Sequence, residues 1–278
     1  MGMQFYRDDE YAEASQMFAK ALDLYRSVDD AAGQAAALVN LADVALVLGE
    51  HEQASRWVGL AQPLAARNGL SAIGPQLELQ RAQALSQAGD AASARSALDA
   101  LLAGGTPDAL RQAALLERTR LALDTNEDAA TWLRRAHDAV GSSDSPRVRA
   151  RLLRLDAAAA RRGDAAQASR LLDQALDLYR TASYRPGIAA TNEEAAALAR
   201  GGTDLAGASD RYGRGLSVRV WLQDRVHASA DLDALAALED ARGNAARAAE
   251  LRAALKELRG SDTVDWRGLA ERLRRAGF

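Results

Sequence analysis

An all-α array of stacked helix pairs is the fold class this sequence predicts, and three observations predict it. A short turn, Gly-Asp/Glu/Asn-x-x-x-Ala in its clearest copies, recurs seven times along 278 residues. Alanine dominates an apolar content of 48% while aromatics make up only 5%. Alanine is the best helix former, and its small side chain lets helices pack closely. Segments in which Val, Ile or Thr alternate with polar residues, the mark of strands, are absent.

The turns begin at residues 9, 49, 89, 124, 163, 202 and 243, so the intervals are 40, 40, 35, 39, 39 and 41. A near-fixed period of this length is the signature of a solenoid. In five of the seven turns Gly stands at the start, where it ends the first helix because it takes a left-handed backbone cheaply. An Asp, Glu or Asn then caps or charges the start of the second. Ala14, Ala54, Ala94, Ala129, Ala168, Ala208 and Ala248 follow the turns, where paired helices are expected to cross. A larger side chain there should cost about 1–3 kcal/mol.

The elements follow in order. The first pair begins in mid-helix at Gly2 and Phe5, which leads us to expect further sequence before Met1. Pro63 falls inside the second helix of the second pair, where it can kink it. Pro75 and Pro186 precede first helices, and Thr106-Pro107 and Ser145-Pro146 each set a capping residue before a proline at the first helical position. Gly213 and Gly215 lie within a second helix, where glycine is costly, so close helix contact is expected there. Residues 263–276 form a last amphipathic helix, with Trp266, Leu269 and Leu273 on one stripe and Arg267, Glu271, Arg272, Arg274 and Arg275 toward water. It suits the solvating cap that a repeat array needs at an open end. Trp57, Trp132 and Trp221 fall in or at the ends of second helices and are assigned to packing between repeats, Trp57 being the one expected to be exposed.

Gly2, Phe5, Tyr11, Ala14, Phe18 and Ala21 read Gly-x2-Phe-x5-Tyr-x2-Ala-x3-Phe-x2-Ala, which resembles the tetratricopeptide repeat (TPR) signature. The period near 40, Asn40-Leu41-Ala42, and Ala-Leu-Asp-Leu-Tyr-Arg at 21–26 and 175–180 are similar to the long TPR-like domains of bacterial signalling proteins, transcription activators and some lipoproteins. The resemblance implies a right-handed superhelical solenoid of about seven helix pairs with a C-terminal capping helix. It would form one repeat domain over 1–278, with pairs over 1–262, the first truncated, and the cap over 263–278. It also implies a non-catalytic protein-interaction adaptor or scaffold. The alternative is a ligand- or peptide-sensing regulatory fragment of a larger bacterial signalling protein, and self-association is a third reading.

Composition narrows the chemistry. Net charge is −3, from 35 basic and 38 acidic side chains, which does not suit bulk nucleic-acid or membrane binding. Apart from Lys20 and Lys256 every basic residue is arginine, read as GC-rich codon usage and hence a bacterial source. No cysteine is present, which excludes disulfides, thiolate catalysis and Cys-based zinc sites. His51, His137 and His227 lack metal-ligand spacing, and the Gly pairs carry no phosphate-loop Lys, so no metal or cofactor is expected. No signal peptide or long apolar run appears, and the compartment stays open between cytoplasm and periplasm, with a targeting segment or lipid anchor before Met1 left open.

In TPR arrays the first helix of each pair lines the concave groove. The resemblance therefore places Asn40, Gln80, Gln83, Arg111, Arg118, Arg154, Arg161, Asn192 and Arg200 there, with Asp43, Gln76, Gln87, Glu193, Asp233 and Asp240 beside them. Amides can hydrogen-bond a peptide backbone, and arginines can clamp carboxylates bidentately. The expected partner is a protein or peptide with an acidic segment or a C-terminal carboxylate. The lysine and asparagine pattern of carboxylate-clamp TPR proteins is not reproduced. The alternative is that these arginines simply fill exposed helix faces, as do Arg147, Arg149, Arg151 and Arg162.

Overall fold

A computed structural model describes every residue except Ser142, Asp144 and Asp262, and the expected boundary at 262 therefore lies outside the described residues. The chain divides into two compact units, Met1–Ser143 and Asp144–Phe278. The first unit holds α1 (Gly2–Arg7), α2 (Tyr11–Ser27), α3 (Ala31–Val47), α4 (His51–Arg67), a 3-10 turn at Ser71–Ile73, α5 (Gly74–Gln87), α6 (Ala91–Ala103), α7 (Asp108–Asp124) and α8 (Ala129–Val140). The second holds α9 (Pro146–Ala160), α10 (Ala165–Thr181), α11 (Arg185–Gly201), α12 (Leu205–Trp221), α13 (Arg225–Ala241), α14 (Ala245–Gly260) and α15 (Trp266–Arg275). No strand occurs among the described residues.

Within each unit consecutive helices pack on one another, and first helices of neighbouring pairs also touch: α3 on α5, α5 on α7, and α9 on α11. The result is the all-α helical-pair solenoid that the period predicts, with four pairs in the first unit and three plus a closing helix in the second. In six of the seven turns within pairs, the residue after the turn donates its N–H to the carbonyl five back: Glu10 to Phe5, Glu50 to Ala45, Asp90 to Leu85, Glu127 to Ala122, Asp204 to Ala199 and Asn244 to Glu239. That closure requires a left-handed residue. Gly49, Gly89 and Gly243 supply it, but so do Asp9, Asn126 and Thr203. Gly163, expected to be left-handed, is not: Asp164 donates only four back, to Ala160, so the α9–α10 turn closes more tightly. The aspartates then cap as expected, Asp90 accepting from Ser93 N, Asp164 from Gln167 N and Asp204 from Gly207 N.

Six of the seven crossing alanines, all but Ala129, are buried at 0–1% exposure. Ala129 opens α8 and is half-buried, and Trp132 holds the fourth helical position that alanine holds in the other second helices. An extra residue in the turn shifts the register, and the indole packs against the core of α5, α6 and α7, with Arg118 and Arg135 at 4.3 and 4.4 Å from its ring centroid. Pro63 lies inside α4, as expected, and the helix runs on to Arg67. Two further corrections are small. Pro107 is the N-cap of α7 rather than its first residue, and Thr106 Oγ1 donates back to Leu101 O. Trp57 is half-buried against Ala45, Leu46, Ala54 and Ala84, whereas Trp221 is 48% exposed beneath Arg185.

The two Ala-Leu-Asp-Leu-Tyr-Arg segments share a packing device. Tyr25 and Tyr179 each lie on a glycine eight residues later, in the first turn of the next helix. A Cβ on Gly33 would sit 2.3 Å from the Tyr25 ring, and one on Gly187 2.6 Å from that of Tyr179. Tyr179 is buried and Tyr25 only half-buried, so the second ring has less room to give way. Gly187→Ala is expected to lower stability by about 1–3 kcal/mol and Gly33→Ala by less, measured as urea midpoints. Equal, negligible shifts would show that both rings can move.

Leu269 and Leu273 of α15 are buried in one core with Tyr212 and Leu216 of α12 and Leu251 and Leu255 of α14, with Trp266 packed beside them. This is the apolar stripe expected of the closing helix. Gly215 brings α12 against α11: a Cβ there would lie 3.4 Å from Ala189 O. Gly213 instead seats the ring of Phe278.

Candidate functional site

The first helices carry the groove candidates, and within each unit polar side chains fasten one first helix to the next. In the first unit, Gln80 of α5 is fully buried and donates through Nε2 to Val39 O (2.9 Å) and to Asp43 Oδ1 (2.7 Å) of α3. Gln87 repeats the contact one end further on, donating to Leu46 O at 3.0 Å. Burial pushes the Asp43 carboxyl up to about 6 against the lowering pull of the Gln80 hydrogen bond. Asn40 and Gln83 remain half-buried on the same helices.

Arg118 of α7 is only 4% exposed. Its Nε donates to Asp99 and its Nη2 to Glu127, both at 2.9 Å. Burial raises the Glu127 carboxyl, but hydrogen bonds from Thr125 and Arg118 outweigh it and hold the group below the usual carboxylate range. Arg118 is therefore a brace between α6, α7 and the turn before α8, not a groove-facing clamp. Arg111 is half-buried at the start of α7, with Nη2 3.4 Å from Gly104 O.

In the second unit, Arg154 of α9 does clamp a carboxylate bidentately, but it is that of Glu194 on α11: Nε to Oε2 at 3.0 Å and Nη2 to Oε1 at 2.5 Å. Burial opposes the guanidinium charge, and Glu194 and then Tyr179 overcome that and raise its pKa. Asn192 is buried, donating to Ile188 O at 2.9 Å and leaving Oδ1 without a partner. Arg161, just past α9, and Arg200, in the last turn of α11, are both exposed. They lie 39 residues apart, one repeat interval, at the carboxyl ends of two first helices in contact.

Sequence reasoning missed a buried charge network in this unit. Arg219 of α12 is 3% exposed and reaches Glu193 with Nε (2.7 Å) and Nη2 (3.1 Å), and the fully buried Asp224 with Nη1 (3.0 Å). His227 Nδ1 lies 2.8 Å from Asp224 Oδ2. Asp231, also buried, has an Oδ2 with no hydrogen-bond partner. Burial, then Glu193, push its carboxyl up to about 8, with Arg219 opposing and Asp224 adding. The available signal was Arg219 between Val218 and Val220, and Asp231 between Ala230 and Leu232: charges on apolar stripes.

The structure thus defines a class: an all-α helical-repeat scaffold whose first helices are tied by polar braces. Residues 1–65 match the family model described as Tetratricopeptide repeat, so the first two helix pairs carry that repeat and the later pairs continue its architecture. Among solved structures the chain is similar to a Rap protein complexed with competence and sporulation factor, at 14% identity and a TM-score of 0.71, over 98% of this chain and 74% of that one. It is also similar to BtubC from P. vanneervenii, at 18% identity and a TM-score of 0.52 over 76% and 89% of the two chains. A third likeness is to a tetratricopeptide repeat protein from Parabacteroides merdae, at 16% identity and a TM-score of 0.50 over 98% and 96%. At these identities the likeness establishes the fold. No curated protein matches the chain in sequence. No helix among the described residues is long and apolar enough to cross a membrane.

Proposed function

We propose that the chain is a non-catalytic interaction adaptor that holds peptide or protein segments on the first helices of each unit. Repeat solenoids use such surfaces for partners. The observation that carries the assignment is the division of labour among the polar residues. Gln80, Arg118, Arg154 and Asn192 are spent on internal contacts, whereas Arg161 and Arg200 stay exposed at neighbouring helix ends and make no ion pair among the described residues. Asn40 and Gln83 offer amides to a peptide backbone in the first unit. Arg161 and Arg200 offer guanidinium forks to an acidic segment or a terminal carboxylate in the second.

The test pans a display library of peptides with acidic C-termini against the wild type and against Arg161→Glu plus Arg200→Glu. Peptides selected on the wild type should lose about tenfold or more in affinity for the double variant, with its thermal midpoint unchanged. Undiminished binding by the folded variant would remove the arginines from the site. A sensing fragment is the second reading, favoured by the solved neighbour that carries competence and sporulation factor.

A further inference from the structure

The first helices of the first unit hold an acid that no cation answers. Asp43 is the one charged side chain of α3. It is half-buried, and among the described residues its polar partner is Gln80, whose Nε2 donates to Oδ1 at 2.7 Å. Oδ2 takes no hydrogen bond there and is not sealed from solvent. The charges on the facing helix α5 are Glu78 and Arg81, which pair with each other at 2.8 Å. Carboxylates withdrawn from water are normally paired with a cation. Glu117 and Glu127 of the same unit follow that rule, on Arg120 and Arg118.

Packing does not explain the acid. Asparagine at this position would accept the same hydrogen bond from Gln80 with no charge to desolvate. Burial pushes the carboxyl up to about 6, which still leaves it ionised at neutral pH, so the fold carries the charge although burial opposes it. Asn40 stands one turn before Asp43 on α3, and Gln83 one turn after Gln80 on α5. Both are half-buried, and their side chains make no hydrogen bond among the described residues. The arrangement is a recessed carboxylate beside two free amides. Amides suit a peptide backbone. A recessed anion is reached by a long apolar stem with a cation at its tip, which describes the side chains of lysine and arginine.

We propose that Asp43 receives a lysine or arginine side chain of a peptide whose backbone lies on Asn40 and Gln83. The inference rests on the peptide reading of the first helices and adds to it a requirement for a basic residue in the first unit.

The experiment is selection from a random-peptide display library on the full chain, followed by fluorescence anisotropy of the selected peptides. Those sequences should share a lysine or arginine at one position. Replacing it with glutamine should weaken binding to the wild type by about tenfold or more. Asp43→Asn should weaken the parent peptide by a similar factor, with its thermal midpoint unchanged or higher because Gln80 keeps its acceptor. The two changes remove one contact, so together they should lose little more than either alone, and the glutamine peptide should bind both proteins alike. If Asp43→Asn does not fold, the glutamine peptide alone decides. Selected peptides that lack a basic residue, that bind folded Asp43→Asn as tightly as the wild type, or whose two losses simply add would overturn the assignment and leave the peptide reading standing. A chain that selects no peptide would overturn both.

Discussion

Arg219→Met is expected to destabilise the protein by about 3–5 kcal/mol, the typical result of removing one partner from a buried ion pair. The guanidinium is 3% exposed and its three donor atoms are divided between Glu193 and Asp224. Methionine would fill much of the volume, so the loss is electrostatic rather than a cavity. Asp224 would keep the backbone N–H and ring nitrogen of His227. Glu193 would lose both hydrogen bonds that Arg219 gives it. Asp231, already opposed by both carboxylates, would lose the cation that lowers its pKa. Three neighbouring acids without a cation favour protonation, so the loss should shrink as pH falls toward 4. Urea unfolding of both proteins at pH 7.5 and pH 4.5 measures this. A loss below about 1 kcal/mol at pH 7.5 would mean that Glu193 and Asp224 are solvated well enough without Arg219.

The fold was legible because the turn residues are few and chemically constrained. A polar Asp, Glu or Asn before the second helix, and in six of the seven pairs a buried alanine at the crossing, leave a trace along the chain. Even so, the left-handed position is held by Asp9, Asn126 or Thr203 in three turns and is missing at Gly163, so Gly alone is an incomplete guide. The fourth pair shows what a period cannot resolve. One added residue places Trp132 where the series predicts alanine, and the indole is accommodated against the core of α5, α6 and α7 with Arg118 and Arg135 over its ring.

The candidate site was less legible for a physical reason. Spacing along a first helix tells which residues share its exposed face, but not which of them a neighbouring helix will claim. Arg154 reads as a clamp for a carboxylate and is one, yet Glu194 of the next first helix provides that carboxylate. Gln80 reads as a donor for a peptide backbone and instead donates to Val39 O. Arg161 and Arg200 stay exposed at the ends of their helices, whereas Gln87, also at a helix end, is claimed by Leu46 O, so position along the helix does not decide it.

Asp231→Asn separates a buried acid that is neutral in the fold from one that is ionised. A carboxyl raised from 3.8 to about 8 holds its proton in the folded chain while the unfolded chain releases it. The folded state then binds more protons than the unfolded, and stability falls as pH rises. The fall begins near pH 4, is limited to about 1.4 kcal/mol per pH unit for one group, and ends near pH 8. Asp43, raised to about 6, acts with the same sign but is finished above that value, so the interval from pH 6.5 to 8 isolates Asp231. Asparagine has nothing to ionise, and its amide can donate to the Glu193 carboxylate. The variant should therefore gain on the wild type across this interval by roughly 1–2 kcal/mol, read from urea midpoints at pH 6.5, 7.25 and 8. Parallel pH profiles for the two proteins would mean that Asp231 is already ionised in the fold, with Arg219 shared among three carboxylates.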